Sequence, residues 1–203
     1  MNPLEAMNRA RLYRRRSHYI AENARPWVRA RVKWEFLKRE SYIASPFHGP
    51  ILTALREGRL VIEPSVTVMA GCWITAPGEA RIRIGRGTFL NLGVFVAAYE
   101  SVDIGKDCML SNGCFVTDAD HRFEDPDIPM RIQGYEVKGP TVIGDNVWCG
   151  VNVAVMSGVT VGRGSVVGSN SVVTRDVEPF SVVAGSPAKL IRRIDPAELA
   201  DRS

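Results

Sequence analysis

From Ile62 onward an aliphatic side chain returns at a step of six, and that period limits the fold more than any other feature of the chain. The series runs Ile62, Val68, Ile74, then Ile84, Leu90, Val96, then Ile104, Leu110, Val116. It resumes after a gap as Ile143, Cys149, Val155, Val161, Val167 and Val173. A helix needs apolar residues three and four apart, and a half-buried strand needs strict alternation, so neither fits. A short strand followed by a turn does fit six. The aliphatic residue points inward, the turn takes Gly, Asn or Asp, and the next strand starts on a new face. Three such faces close a triangular coil of 18 residues, as over 143–160, and stacked coils bury a continuous aliphatic column. Loose β-hairpins would not hold one step over so long a stretch. The expected fold is mainly β: a parallel β-helix.

The fifth place of the hexad is small or branched (Cys72, Thr88, Cys108, Cys114, Val147, Val159, Ser165, Ser171), and Gly often takes the second. Glu100 and Asp120 break the fifth-place rule, each where the coil is about to be interrupted. Three of the four cysteines occupy the fifth slot and Cys149 the inward slot, which makes them core filler. They form no CxxC, and neither they nor the three scattered histidines have zinc-site spacing, so no metal is expected.

The net charge of +4 is unevenly placed. Residues 1–40 carry 11 Arg/Lys against four Glu, and residues 41–203 carry 15 against 18. A basic arm therefore precedes a mildly acidic body, unlike a nucleic-acid binder that is basic throughout. The longest uncharged run, Asn146 to Gly162, is too short and too polar to cross a bilayer. No apolar run follows the N-terminal charges as a secretory signal would require, and a cytoplasmic location is expected.

Residues 1–60 read as a basic helical segment, 61–193 as the β-helix and 194–203 as a tail. Asn2-Pro3 opens a helix expected to run to about Asn23. A second is expected from Trp27 to about Tyr42, and a third from Ile51 to Glu57 before Gly58. Trp27, Trp34, Phe36 and Leu37 alternate with Arg29, Arg31, Lys33, Lys38 and Arg39. Such a segment suits a cap over the open end of the coil, or a weak contact with an anionic membrane surface or lipid-linked substrate. Residues 122–140 (RFEDPDIPMRIQGYEVKGP after the initial His121) read as an extruded loop, rich in charge, Pro and Gly. A loop of this length inside a compact repeat is often functional.

The hexad pattern resembles the hexapeptide-repeat acyltransferases, and four further segments resemble their maltose and galactoside O-acetyltransferase branch. These are Phe89-Leu90-Asn91, the DADHRF run holding His121, Gly144-Asp145-Asn146-Val147-Trp148-Cys149-Gly150, and Gly185-Ser186-Pro187-Ala188-Lys189. The resemblance covers about 62–193. It implies a left-handed β-helix; the hand comes from the resemblance alone, since crossover rules favour the opposite sense. It also implies acyl transfer from acetyl-CoA to a hydroxyl or amine, and a homotrimer with active sites between subunits.

An alcohol attacks a thioester poorly at neutral pH unless a base takes its proton, and imidazole, with an unperturbed pKa of about 6.5, suits that role. The resemblance gives His121 as general base; should it fail, the nearby carboxylates Asp118, Asp120 and Glu124 are the next places to look for one. It gives Asn91 as the acceptor contact, facing His121 across a subunit boundary. Coenzyme A contacts carried over are Val151, Ser169, Thr174, Arg175, Lys189 and Arg192. One departure from the family matters most: the sugar-binding Asp eight residues beyond Asn91 falls on Tyr99, and the helical substrate-binding arm differs as well. The acceptor need not then be a small galactoside or maltose, and a sugar, glycan or glycolipid is expected. An antibiotic acetyltransferase and a non-catalytic β-helix module stay open as alternatives. A zinc-dependent carbonic anhydrase on the same fold would need three histidines, and the coils hold one.

Overall fold

The computed structural model describes residue 23 and residues 25–195. The first expected helix therefore lies almost wholly outside the described residues. Strands come in sequence around three faces of a prism. Face one stacks Leu60–Ile62, Arg81–Ile84, Ser101–Ile104, Thr141–Ile143 and Thr160–Val161, all parallel. Face two stacks Tyr42–Ile43, Thr67–Val68, Phe89–Leu90, Met109–Leu110, Trp148–Cys149, Val166–Val167 and Ser181–Ala184 in parallel. An antiparallel edge, Lys189–Arg193, follows them. Face three stacks Trp73–Thr75, Phe95–Ala97, Phe115–Thr117, Ala154–Val155 and Val172–Val173.

The register sorts the fifteen residues of the period into three columns of five. Ile62, Ile84, Ile104, Ile143 and Val161 lie on face one; Val68, Leu90, Leu110, Cys149 and Val167 on face two; Ile74, Val96, Val116, Val155 and Val173 on face three. None is more than 4% exposed. Fifth-place residues also point inward, and where they are polar their hydroxyls join coils: Thr88 donates to the Gly105 carbonyl at 2.7 Å and accepts from Cys108 N–H at 3.1 Å.

Second-place glycines are explained by coil spacing rather than by turn conformation. At Gly105 a Cβ would sit 2.5 Å from Asp145 Oδ1 and 2.7 Å from its backbone nitrogen. The left-handed residue is the fourth of the hexad, where Gly87, Asp107, Asn146, Asn152 and Asn170 have φ between 54° and 70°. Glycine, Asn and Asp tolerate that region best.

Breaks in the period fall at one corner, between face three and face one. There the chain makes the short insertions around 76–80 and 98–100 and the long excursion after Thr117. Residues Ala119–His121 and Tyr135–Val137 pair antiparallel, so the expected loop is a hairpin whose tip, around a 3-10 turn at Met130–Ile132, is exposed.

Helix α1 is Pro26–Leu37 and α2 is Ile51–Arg56. Val28, Val32 and Phe36 of α1 join Ile51, Leu52, Ala54 and Leu55 of α2 in the same core as the coils, capping one end of the prism. The second helix was expected to reach Tyr42, but it stops at Leu37. Glu40 turns left-handed (φ 54°), and Tyr42 N–H donates to the Val66 carbonyl at 2.8 Å. Pairing of Tyr42 with Thr67 and Ile43 with Val68 thus carries face two back into the stretch read as helical.

Candidate active site

His121 closes the outgoing strand of the hairpin at the corner between faces three and one, and its side chain is exposed. Its imidazole makes no hydrogen bond among the described residues. Ring contacts hold it instead: Tyr135, directly opposite on the returning strand, lies 4.4 Å away between centroids, tilted by 38°. Tyr99, from the coil below, meets Tyr135 from its own side at 4.1 Å.

The base of the hairpin is clamped. Thr141 Oγ1 donates to the Thr117 carbonyl at 2.9 Å, and Ser157 Oγ donates to the Asp118 carbonyl at 2.5 Å while accepting Lys138 N–H at 3.1 Å. Asp118 is fully buried, and its carboxylate accepts the N–H groups of Tyr99, Glu100 and Ser101 at 2.7, 2.7 and 2.6 Å. It fixes the turn that presents Tyr99 and has no spare access to an acceptor. Asp120 pairs with Lys138 Nζ at 2.9 Å, and this hydrogen bond draws the lysine pKa upward. Glu124 accepts its neighbour Phe123 N–H at 3.1 Å on the exposed hairpin. Of the three carboxylates named beside His121, two are therefore engaged in holding the hairpin.

Asn91 sits at a different corner, between faces two and three, with the width of face three separating it from the His121 corner. One protomer does not bring the two together. Its Oδ1 accepts Leu92 N–H at 2.8 Å, and its amide nitrogen has no hydrogen-bond partner among the described residues. Val151 and Ser169 follow in the same column of turns. Ser169 Oγ accepts Val151 N–H at 3.1 Å, and Asn170 N–H takes the Val151 carbonyl at 2.8 Å. The Val151 N–H is thus engaged, while its side chain is 43% exposed. Thr174 and Arg175 lie on the His121 corner, one step past Val173, and both are exposed. Lys189 and Arg192 project from the exposed antiparallel edge of face two, opposite Ala184 and Val182. The eight residues thus split between two corners and one edge, a distribution suited to a long ligand with an anionic end.

Tyr135 and the structural role of Asp118 were not foreseen from the sequence. Tyr135 lies outside the period, in the stretch read as an extruded loop. All four cysteines are buried and unpaired. Burial pushes the Cys72 and Cys114 thiols up to about 11 and raises Cys108 and Cys149 as well. Among the described residues no cluster of His, Cys, Asp and Glu could hold a metal ion, and no helix is long and apolar enough to cross a membrane.

Two family descriptions match: bacterial transferase hexapeptide (six repeats) over residues 140–175, and hexapeptide repeat of succinyl-transferase over 81–118. An Escherichia coli K12 protein named for O-acetyl transfer in lipopolysaccharide biosynthesis is 34% identical over 144 residues, covering 68% of this chain and 73% of that protein. An acetyltransferase-named protein of Mycobacterium tuberculosis is 35% identical over 114 residues, 56% of this chain but 38% of its own length. The match to Staphylococcus aureus proteins named acetyltransferases reaches 54% identity but only 33% of their length. Thus the chain spans between a third and two fifths of several relatives it matches. Among solved structures, an N-acyltransferase of Bacillus cereus, in complex with dTDP and 3-hydroxybutyryl-CoA, superposes with a TM-score of 0.67 at 17% identity, over 81% of this chain and 86% of that one. A maltose O-acetyltransferase of Clostridium difficile gives 0.53 at 26%, over 80% and 74%. The parallel coil is the left-handed β-helix of these enzymes, and the chain belongs to the hexapeptide-repeat acyltransferase family.

Proposed function

We propose that the protein is an acetyltransferase that moves an acetyl group from acetyl-CoA to a hydroxyl of a sugar, glycan or glycolipid, with His121 as general base. The observation that carries this reading is the exposed imidazole at the mouth of a clamped hairpin, on the same corner as Thr174 and Arg175. In the proposed step the imidazole takes the acceptor hydroxyl proton as its oxygen attacks the thioester carbonyl. The tetrahedral intermediate collapses, the carbon–sulfur bond breaks, and the imidazolium returns its proton to the departing coenzyme A thiolate. A protonated ring cannot act, so turnover falls in acid.

Lys189 and Arg192 are assigned to the phosphates of coenzyme A as charge-assisted donors, with Val151, Ser169, Thr174 and Arg175 along the pantetheine arm. Asn91 is assigned to the acceptor. Because Asn91 and His121 occupy different corners of one prism, the reading requires a second protomer, and a homotrimer supplies it. The names of the relatives support a sugar acceptor: the E. coli protein is named for lipopolysaccharide biosynthesis. A lipid-linked acceptor also fits α1, whose Trp27, Arg31 and Trp34, with Lys38 at its C-cap, are exposed at helical spacing, an aromatic and cationic stripe suited to an anionic membrane surface.

The test is acetyl-CoA turnover, read as thiol release, across a panel of sugars, lipid-linked glycans and antibiotics. Turnover with a glycan class is the expected result. Turnover with antibiotics alone would move the protein to xenobiotic acetylation, and thiol release with none of them would favour a non-catalytic module.

A further inference from the structure

A general base must present one ring nitrogen in one direction. Histidines usually achieve this through a hydrogen bond from the other nitrogen to a carboxylate or carbonyl. His121 has no such partner among the described residues, and an exposed ring at a strand end would otherwise sample several rotamers. Among the described residues the ring contact it makes is aromatic. Tyr135 stands directly across the hairpin, where paired residues project to the same face, and its ring lies 4.4 Å from the imidazole. Behind it, Tyr99 packs at 4.1 Å with a tilt of 36°. Tyr99 is held in turn by Asp118, whose buried carboxylate accepts its N–H and the two that follow. Asp118 precedes His121 by three residues, at the bend just before the strand Ala119–His121, so the circuit closes on itself.

We propose that Tyr135, backed by Tyr99, is the positioning residue of His121: the hairpin sets the plane of the base by ring contact, and the base is assembled only when its returning strand is docked. This rests on the reading of His121 as base. Tyr99 stands where the family resemblance expects a sugar-binding Asp, so the chain uses that place to support the base from behind. The carboxylate an Asp would offer a sugar hydroxyl is replaced there by a phenol, and Asn91 stays the residue assigned to the acceptor. Docking of the returning strand is supported by Ser157 accepting Lys138 N–H and by the Asp120–Lys138 pair, which ties the two strands together.

The experiment is proton–carbon NMR of the imidazole of His121, assigned by its loss in His121→Asn, in the full chain without added ligand. In the wild type, stacking on Tyr135 displaces the ring proton resonance upfield. Tyr135→Ala is expected to return it to the position of a free histidine, and Tyr135→Phe to keep it, since the ring and not the hydroxyl makes the contact. Tyr99→Ala should shift it part of the way by leaving Tyr135 loose. Melting temperature serves as the control; Tyr135 is 40% exposed, and its loss opens no core cavity. An unchanged resonance in Tyr135→Ala, or a Phe variant that behaves like the Ala one, overturns the proposal. A His121→Ala protein that still turns over acetyl-CoA removes the base reading instead, and the NMR result remains separately legible.

Discussion

His121 is exposed and its imidazole holds no hydrogen bond among the described residues, so deleting it removes a proton acceptor without opening a cavity or orphaning a partner. His121→Ala is therefore expected to lower turnover by ~10²–10⁴-fold, the usual worth of a general base, while melting temperature and oligomeric state hold. His121→Asn should match it, because an amide can hydrogen-bond but cannot take the proton. A variant keeping a third or more of wild-type turnover rules the assignment out. The structure has already narrowed the substitutes, with Asp118 buried under three N–H donors and Asp120 paired to Lys138. A second residue-scale expectation concerns the cysteines. Burial raises Cys72 and Cys114 from 9.0 to about 11. Below 9.0 both folded and unfolded chains keep these protons; above it the unfolded chain releases them first, so stability is lost as pH climbs from there towards 11. Thermal melts across that range should show the loss, and Cys72→Ala with Cys114→Ala should flatten the slope. An unchanged slope would mean that these thiols do not govern the alkaline limit.

At the scale of the coil, two kinds of glycine and asparagine position do different jobs, and substitution separates them. A Cβ at Gly105 would press against Asp145 of the next coil, so Gly105→Ala should destabilise by about 1–3 kcal/mol through overpacking. Asn146, with φ 54°, needs only tolerance of the left-handed region. Asn146→Gly should then be close to neutral and Asn146→Val costly by about 1–2 kcal/mol, all read from denaturant midpoints. The reverse ranking would show that turn conformation, not coil spacing, governs the second place. This distinction was not legible in the sequence, where Gly in either place reads as a turn. The inward columns were legible because each aliphatic residue faces the same place in the next coil, so burial is written directly into the period. The end of α1 was not, because Tyr42 and Ile43 are drawn into pairing with Thr67 and Val68, a contact remote in the chain. His121 could be located because it adjoins the break in the period. Tyr135 could not, since its partner is set by the antiparallel register of a hairpin that the composition of 122–140 conceals.

Across the whole molecule, the proposed ligand contacts are spread so widely that each can be tested by a different observable. Lys189 and Arg192 are exposed on the terminal edge of face two, far along the chain from the base. Replacing both by Glu turns attraction for phosphate into repulsion. At ~1–2 kcal/mol for each charge-assisted contact, the Michaelis constant for acetyl-CoA should rise by about tenfold or more, with little change in that for the acceptor. If neither these reversals nor added salt moves it, the phosphates bind elsewhere. The separation of Asn91 from His121 leads to the strongest test of assembly. If each site takes His121 from one protomer and Asn91 from the next, His121→Ala and Asn91→Ala damage opposite sides of every site. Each pure variant is then crippled at all of its sites. When both chains are co-expressed and assemble at random, a site is intact wherever an Asn91→Ala chain lends its histidine to a His121→Ala chain that lends its asparagine. In a cyclic oligomer with heterologous contacts that happens at about one site in four, so the mixture should regain about a quarter of wild-type turnover. A site built within one chain cannot be rescued this way, because every chain carries one of the two lesions. Mixed assemblies no more active than the two pure variants, or an active monomer in light scattering, would remove the shared site and leave His121 to work with partners of its own chain.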